Sequence, residues 1–233
     1  MISIVSAGTP DYAEMMAENR RRCEALGYRY IAHDLELSSD LQGALPPCTF
    51  KPELLRKVLS PPAHQPFEYD PTSEIIAWMD ADAIVVRPLE PLLEIEFDVA
   101  VTLREPYLIG TTQPTSNYLN AGVIFFRNTP QARRFIEDWL IETDVTRNDQ
   151  AALNHMVGSA EWTDQNWRES YDWTFCHEGA FIHILQCAFW NFNDWNRSPS
   201  PDTRILHFKH GWRELRGDQW WRNLLAGRYA CLT

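Results

Sequence analysis

Two carboxylates stand two residues apart at the end of the most strongly strand-like segment of the chain. The segment EIIAWM, residues 74–79, runs directly into Asp80, Ala81 and Asp82. Side chains two apart on a strand point to the same side of the sheet, so both carboxylates are predicted to face one point. Like charges held that close repel unless a cation lies between them, and oxygen ligands suit a divalent ion. The pair predicts a metal site, and the alternative is a chance pair of solvated surface carboxylates.

A histidine and a lysine mark a second candidate region, at the end of the short strand-like run ILHF, residues 205–208. His207 is a candidate third metal ligand, because imidazole binds transition metals well. Lys209 is a candidate counter-charge for a phosphate, and Gly211 would allow the backbone to approach a ligand closely. The alternative is a hydrogen-bonded core histidine followed by a solvated lysine, and these residues alone leave both interpretations open.

Small and polar residues precede another strand-like run, GVIFF at 122–126. Ala121 and Gly122 would let a ligand lie against the backbone, and the amide of Asn120 is suited to hydrogen-bond hydroxyl groups. A plain turn ahead of a strand explains the same residues.

The tripeptide Asn148, Asp149 and Gln150 precedes an apolar helical stretch, residues 151–157. One interpretation is a helix N-cap, a position at which Asp is favoured. The other is a group of polar side chains that take part in chemistry, and the spacing does not decide between them.

Strands and helices alternate in the segments that must position these residues. The β-branched run at 2–6 predicts a buried first strand, and a helical pattern follows from Asp11, as N-cap, to Leu26, with Gly27 as its stop. Residues 28–33 predict a second strand, and this opening indicates a parallel sheet covered by helices. The remaining segments predict helices at 53–59 and 130–141, and strands at 74–79 with a continuation at 83–86, 97–102, 122–126 and 205–208.

Composition excludes several classes of protein. The chain has 233 residues, 45% of them hydrophobic, with no repeat or low-complexity tract, so we expect one folded domain. A net charge of −11 argues against nucleic-acid binding, which needs cations to displace counterions. No stretch approaches the roughly 20 apolar residues of a membrane span, and the five cysteines are scattered without a C-x-x-C pair. We therefore expect reduced thiols and a cytoplasmic protein or soluble catalytic fragment, of unknown oligomeric state.

The order of the motifs along the chain resembles that of the GT-A-fold nucleotide-sugar transferases. The similar segments are EIIAWMDADAIVVRPLEPLL, NAGVIFFRNT, NDQAALN and HFKHG, and the N-terminal ISIVSAGTPDY resembles the nucleotide-binding first strand of the family. The likeness is closest to the retaining enzymes of the glycogenin and bacterial lipopolysaccharide galactosyltransferase type and to related galactosyl- and xylosyltransferases. It implies an α/β fold with a mixed, mainly parallel sheet flanked by helices in a single domain, residues 1–233. The nucleotide-binding half would be about 1–100, and the donor-sugar and acceptor half 101–233.

The resemblance also implies roles for individual residues. Mn²⁺, or Mg²⁺ in its place, would be bound by Asp80, Asp82 and His207, and the catalytic pair beside the anomeric carbon would be Asp149 and Gln150. A larger set would bind the nucleotide and the donor sugar: Ala7, Gly8, Thr9, Tyr12, Lys51, Asp80, Ala81, Asn120, Ala121, Gly122, Lys209 and Gly211. The family commonly has His-x-x-Gly followed by lysine, whereas here three residues, Lys209 among them, separate the histidine from the glycine.

The implied reaction moves a hexose or pentose from a nucleotide-diphosphate sugar, a UDP-sugar, to a saccharide or other acceptor with retention of configuration. Negative charge grows on the leaving diphosphate, where the metal and Lys209 would stabilise it. Retention requires either a nucleophile, for which Asp149 is the candidate, or entry of the acceptor on the leaving-group side, which we favour. The Trp-rich segment from Trp162 to Trp195 is the candidate for acceptor contacts.

Two other functions fit part of the pattern. A haloacid-dehalogenase-like phosphohydrolase also carries D-x-D after an apolar strand, with Asp80 as nucleophile and Asp82 as acid and base. That family places the motif on its first strand and adds a later acidic pair, whereas here 79 residues precede the motif and no Asp-Asp pair follows. The second alternative is a transferase-like fold that binds carbohydrate without catalysis, and the intact set of three metal-ligand candidates argues against it.

Overall fold

The computed structural model of the chain describes residues 1–35, 50–59, 73–103, 118–158, 174–193, 195, 197–209, 216–217 and 219–230. The strands in these residues are β1 (Ile2–Gly8), β2 (Arg29–Asp34), β3 (Ile75–Met79), β4 (Ala83–Val85), β5 (Val99–Leu103), β6 (Leu119–Arg127), β7 (Thr174–His177), β8 (Ala180–Leu185) and β9 (Ile205–His207). The α-helices are α1 (Ala13–Ala25), α2 (Phe50–Leu59), α3 (Pro130–Thr146), α4 (Asp149–Met156), α5 (Cys187–Trp190) and α6 (Gln219–Arg228). Short 3₁₀ helices cover Pro10–Tyr12 and Glu90–Glu94.

Seven strands form one mixed sheet in the order β2-β1-β3-β6-β5-β8-β7. Strand β1 is parallel to both β2 and β3, and β5 is parallel to β8. Strand β6 is antiparallel to both of its neighbours, and β7 is antiparallel to β8. Because two antiparallel steps separate β3 from β5, the strands β1, β2, β3, β5 and β8 all point the same way. The predicted α/β class with a mixed, mainly parallel sheet is confirmed.

Helices cover both faces of this sheet. On one face α2, α3 and α4 bury a core that includes Trp78, Phe126 and Trp139. On the other face α1 packs over the sheet through residues such as Cys23, against Met79 and its neighbours. The central strands β1 and β3 are buried along their whole length, which explains why their sequences are almost continuously apolar. Within the described residues, no helix is both long enough and apolar enough to span a bilayer.

A second sheet, made of β4 and β9, carries part of the candidate site. The two strands are antiparallel, with Ala83 opposite His207. The N–H of Phe208 donates to the carbonyl of Asp82 at 2.8 Å, which extends the pairing by one step. The sequence predicted that β4 would continue β3. That prediction is wrong, because the two strands belong to different sheets. The chain turns between them, and the N–H of Ala83 donates to the carbonyl of Asp80 at 2.9 Å.

The end of α1 was predicted correctly, whereas its start and the strands β7 and β8 were not. Gly27 ends α1 with a φ of 78°, a conformation that glycine adopts without strain. The predicted N-cap, Asp11, lies instead in the preceding 3₁₀ helix, and α1 begins after Tyr12, whose side chain does not cap it. Strands β7 and β8 were not predicted. They form one edge of the sheet, and the polar His183 interrupts the apolar run of β8.

The side chain of Asn19 joins α1 to the small sheet. Asn19 is fully buried, and its Oδ1 accepts a hydrogen bond from the N–H of Val85 in β4 at 2.9 Å. The Nδ2 atom makes a weaker contact with the sulfur of Met79 at 3.8 Å. One buried amide therefore satisfies a strand N–H that would otherwise have no acceptor in an apolar interface.

Replacing Asn19 with alanine should destabilise the fold, because the N–H of Val85 then loses its acceptor. An unsatisfied buried donor costs about 1–3 kcal/mol, and we expect urea denaturation to show a loss of that size in the free energy of unfolding. Glu24→Ala, at an exposed position of the same helix, is the control and should change stability by less than about 0.5 kcal/mol. Equal stability of the two variants would contradict this role for Asn19.

Candidate active site

Three side chains able to ligate a metal ion converge at the end of β3. The ligand atoms of Asp80, Asp82 and His207 all lie within 4.8 Å of one another. Nε2 of His207 is 3.1 Å from Oδ1 of Asp82 and 3.9 Å from Oδ2 of Asp80. The two carboxylates converge as the D-x-D spacing predicted, but the cause is different. Residues 80–82 form a turn between strands of two sheets, so their approach does not come from alternation along one strand.

The imidazole ring of His207 is held on three sides and is only 3% exposed. Nε2 faces the two carboxylates, and Nδ1 lies 2.8 Å from Oδ1 of Asn191. The Cε1 edge lies against Gly122, since a Cβ atom built on this glycine would come within 2.3 Å of Cε1. His207 is a hydrogen-bonded core residue, and its second ring nitrogen faces the carboxylates.

The surroundings of Asp82 favour its ionised form. Asp82 is nearly buried, and burial alone acts to raise the pKa of its carboxyl. The charge and hydrogen bond of His207, with a smaller contribution from Lys209, outweigh burial and hold the pKa of Asp82 below its ordinary value. The carboxylate is the form that ligates a cation. Lys209 therefore acts electrostatically on the site that the sequence analysis assigned it to.

Lys51 of α2 links two of the candidate site residues. Its Nζ lies 2.9 Å from Oδ1 of Asp80 and 2.7 Å from Oδ2 of Asp149, and it donates to the carbonyl of Ala121 at 3.3 Å. Burial acts to lower the pKa of the ammonium group, but the two carboxylates outweigh it and hold the pKa of Lys51 above its ordinary value. Lys51 is therefore a charged bridge between the D-x-D turn and the start of α4.

A bulge in β6 makes room for the site. The pairing of β5 with β6 shifts register between Val101 and Thr102, which leaves residues 121–123 of β6 bulged. Gly122 lies in this bulge, and its carbonyl accepts a hydrogen bond from the N–H of Asp80 at 2.8 Å. A side chain at Gly122 would enter the space of the imidazole ring described above. The small residues predicted to make room for a ligand make room here for the side chains of two candidate metal ligands.

Asn120, just before the bulge, is 1% exposed. Its Oδ1 accepts a hydrogen bond from the N–H of Gly122 at 2.8 Å. Its Nδ2 finds no hydrogen-bond partner among the residues that the structure describes. Buried side-chain donors are usually paired, so each exception needs an explanation.

At the start of α4, the residues Asn148, Asp149 and Gln150 divide between helix capping and contact with the site. Asn148 is the N-cap, and its Oδ1 accepts a hydrogen bond from the N–H of Ala151 at 2.8 Å. Asp149 directs Oδ1 to the N–H of Gln150 at 2.8 Å and Oδ2 to the ammonium of α2. Oε1 of Gln150 lies 3.5 Å from the N of Ala121 in β6, at the limit of a hydrogen bond. Capping and contact with the site are both present, on different residues.

The end of β1 lies beside the D-x-D turn. A Cβ atom on Gly8 would come within 2.7 Å of Cβ of Ala81, so these two segments are in close contact. The side chain of Ala7 is buried in the core, so only the backbone of Ala7 could contact a bound nucleoside. Thr9 is exposed, and its carbonyl accepts a hydrogen bond from the N–H of Tyr12. A cavity of about 260 Å³ begins at the glycine and threonine and continues between α1 and β2.

Gly211 and three of the five tryptophans of the Trp-rich segment lie outside the described residues. Trp190 and Trp195, the two tryptophans of that segment that are described, are 7% and 4% exposed. Both rings pack in the core, so they are not the exposed platforms that the sequence analysis expected for an acceptor.

Two supporting side chains were missed by the sequence analysis. Trp78 donates its Nε1–H to Oδ1 of Asp80 at 2.9 Å. Asn191 contacts the candidate histidine ligand, as described above. A signal for Asn191 does exist, because it stands in the aromatic run FWNFNDW, residues 189–195, where a polar side chain must find a partner if the run is buried.

The donor set of the site fits a divalent cation. Carboxylate oxygens suit Mg²⁺ and Mn²⁺, and an imidazole nitrogen favours a transition metal. The side chain of Asp80 is 28% exposed, whereas those of Asp82 and His207 are 12% and 3% exposed. A ligand can therefore reach the site from the side of Asp80.

Comparison with known proteins agrees with this geometry. The sequence profile of the family described as nucleotide-diphospho-sugar transferase matches residues 76–211, more than half of the chain. The matched region includes all three candidate metal ligands, and it gives no support to the phosphohydrolase alternative. No protein among the curated sequences matches the chain.

Several solved structures share the fold at low sequence identity. One is a glycosyltransferase involved in the glycosylation of the major capsid of PBCV-1, with a TM-score of 0.55, 15% identity, and coverage of 91% of this chain and 96% of that one. The glycosyltransferase GlyE of Streptococcus pneumoniae has a TM-score of 0.55 and 15% identity, and the match covers 99% of this chain but only 61% of GlyE. The galactosyltransferase LgtC, solved with donor and acceptor sugar analogs, has a TM-score of 0.52 and 12% identity over 99% of this chain and 93% of LgtC. With its fold, its site and its family profile in agreement, the chain belongs to the nucleotide-diphospho-sugar transferases and is a glycosyltransferase of GT-A fold.

Proposed function

We propose that this enzyme transfers a hexose or pentose from a UDP-sugar to a saccharide or other acceptor, with retention of configuration and with Mn²⁺ or Mg²⁺ bound. The observation that carries the proposal is the convergence of Asp80, Asp82 and His207 at one point, with Lys51 tying Asp80 to Asp149. One cluster thus contains a cation site, a fixed positive charge and a carboxylate. These are the groups that departure of a sugar from a diphosphate requires.

The leaving group determines what the charged residues do. Asp80, Asp82 and His207 would hold the cation, which supplies Lewis-acid stabilisation of the charge on the departing diphosphate. Lys209 lies close enough to help lower the pKa of Asp82, so its positive charge would also act on the same phosphates. Fixed cations of this kind stabilise the developing charge without reorganising during the reaction.

Asn120 is the candidate contact for the donor sugar. Its Nδ2 is buried beside the bulge of β6 and has no acceptor among the described residues. A sugar hydroxyl is an acceptor of suitable size and polarity, and would satisfy a donor that the protein itself leaves unpaired. On the other side of the turn, the nucleoside would lie against the backbone of Gly8 and Thr9, where the cavity between α1 and β2 begins.

The hydrogen bonding of Asp149 supports entry of the acceptor on the leaving-group side. Both of its carboxylate oxygens are engaged, one by Lys51 and one by the N–H of Gln150. A carboxylate held in an ion pair is a weaker nucleophile toward the anomeric carbon. We therefore assign Asp149 and Gln150 to stabilisation of the oxocarbenium-like sugar, rather than to a covalent intermediate.

A cytoplasmic location is part of the same proposal. It rests on the free thiols of Cys23, Cys176 and Cys187, two of which are buried, and on the scattered positions of all five cysteines.

Binding of UDP should require both the cation and the D-x-D carboxylates. Calorimetry with the purified protein is expected to show micromolar UDP binding with Mn²⁺ present and a large loss without it. The double variant Asp80→Ala/Asp82→Ala should lose the binding, because it removes two of the three cation ligands while His207 alone binds weakly.

The exposed Asp202 provides a control for this experiment, since Asp202→Asn removes a carboxylate far from the turn in sequence and leaves the ligand set intact. Circular dichroism checks that each variant is folded. A folded wild-type protein that binds neither UDP nor any other nucleoside diphosphate in the presence of Mn²⁺ would refute the proposed donor site.

Gly122→Ala should weaken Mn²⁺ binding, because its Cβ would lie 2.3 Å from Cε1 of His207 and 2.9 Å from Oδ2 of Asp80. Because the added methyl group would displace both side chains, we expect Mn²⁺ affinity to fall by at least about tenfold. Electron paramagnetic resonance of free Mn²⁺ measures this change. Gly227→Ala is the matched control, since a Cβ atom there meets nothing within 4 Å. Unchanged affinity in Gly122→Ala would show that the imidazole is not a ligand.

Retention can be tested without knowing the acceptor. Hydrolysis of UDP-glucose or UDP-galactose, followed by rapid proton NMR, should release the α-anomer before mutarotation. The same product is expected, at a lower rate, from Asp149→Asn, because Asp149 is not the nucleophile. Initial release of the β-anomer would contradict attack on the leaving-group side and would make Asp149 a candidate general base.

A further inference from the structure

A histidine that ligates a metal through one ring nitrogen must carry its proton on the other. Neutral imidazole has one donor and one acceptor nitrogen, and only the acceptor can coordinate. In His207 the nitrogen that faces Asp82 and Asp80 is Nε2. Ligation from this position therefore requires the proton to be on Nδ1.

The partner of Nδ1 is the side chain of Asn191. Its Oδ1 lies 2.8 Å from Nδ1 of His207, in a contact that is completely buried. An amide oxygen can only accept, so this contact favours the form of the ring with hydrogen on Nδ1. A cation would displace the proton that Nε2 donates to Asp82, and the lone pair of Nε2 would then be directed at the point where the two carboxylates converge.

Asn191 is itself held from several sides. Its Nδ2 donates to Oγ1 of Thr102 at 2.8 Å. Its backbone N–H donates to the carbonyl of Cys187 at 2.9 Å, and its own carbonyl accepts from Sγ of Cys187 at 3.0 Å and from Nδ2 of Asn193 at 3.2 Å. The residue ends the short helix α5 and is 0% exposed. An acceptor held this firmly can fix the orientation of a neighbouring ring.

We propose that Asn191 is a positioning residue for the cation site, which sets the protonated nitrogen and the ring angle of His207 and is supported in this by Thr102. The inference rests on the proposed function, because it assigns His207 as a cation ligand. Thr102 stands at the register shift between β5 and β6, so the same irregularity that makes room for the imidazole also places the support for its partner.

Asn191→Leu tests the inference, because it removes the acceptor and keeps the branched shape of the side chain. Loss of such a partner typically weakens metal binding by roughly 10–100-fold, and we expect a rise of that size in the dissociation constant for Mn²⁺. The measurement is a titration of wild-type and variant protein with Mn²⁺ alone, followed by electron paramagnetic resonance, so it needs no sugar donor. Thr102→Val should give a smaller weakening, since it loosens only the support of the amide.

Rescue by a conservative variant separates positioning from a general structural role. Asn191→Asp keeps an oxygen acceptor at the same point, and the hydroxyl of Thr102 can donate to it, so Mn²⁺ affinity should return at least to the wild-type value. Thr203→Val is the matched control. Thr203 is fully buried and donates to the carbonyl of Ala188 at 2.8 Å, so its loss should lower stability without changing Mn²⁺ affinity.

Three outcomes distinguish this inference from the proposed function. Wild-type affinity in Asn191→Leu, or affinity in Asn191→Asp as weak as in Asn191→Leu, would overturn the positioning role and leave the cation site intact. A parallel loss of affinity in Thr203→Val would show that any loss of stability in this segment has the same effect, and would also overturn it. Wild-type protein that binds no Mn²⁺ would refute the cation site, and the inference with it.

Discussion

The concentration of negative charge at the end of β3 is the constraint on which the rest of the site depends. Three carboxylates, those of Asp80, Asp82 and Asp149, are brought together where two of them are largely shielded from water. Like charges at this separation do not all stay ionised unless cations lie between them. Lys51 lies between two of them, and His207 faces the third. Packing of α2 and α4 on the same face of the sheet is therefore an electrostatic requirement as well as a hydrophobic one.

The backbone meets this constraint by bending where the charged side chains need room. The bulge in β6 and the missing side chain of Gly122 allow the imidazole to lie against a strand. A hydrogen bond from α3 holds the start of α4 in place, because Nε1 of Trp139 donates to the carbonyl of Asp149 at 2.8 Å. A buried aromatic side chain in the core thus sets the position of a charged group in the site. The deviation from regular strand geometry therefore coincides with the place where the candidate ligands converge.

Local sequence patterns were enough to predict most of the fold, because β1, β3 and β6 contain clear apolar runs and glycine marks the end of α1. The same patterns located the candidate ligands by residue type. They did not show that the D-x-D pair lies in a turn between two sheets, because pairing of β4 with β9 joins residues more than a hundred positions apart. The sequence also did not predict that Lys51 contacts Asp80 or that Asn191 contacts His207. Long-range packing decides such contacts, and spacing along the chain carries no record of it.

The candidate ligands are divided between two sheets, so their spacing depends on the hydrogen bonds that hold the sheets together. Asp80 follows β3 of the large sheet, whereas His207 ends β9 of the small one. The distance between them is therefore set by how the small sheet is anchored. Backbone pairing from Phe208 to Asp82 fixes one side of it, and Asn19 fixes β4 against α1. A cation held across this junction would join the two sheets directly. Its binding energy would then depend on the backbone geometry of both sheets, because neither sheet alone supplies the full set of ligands.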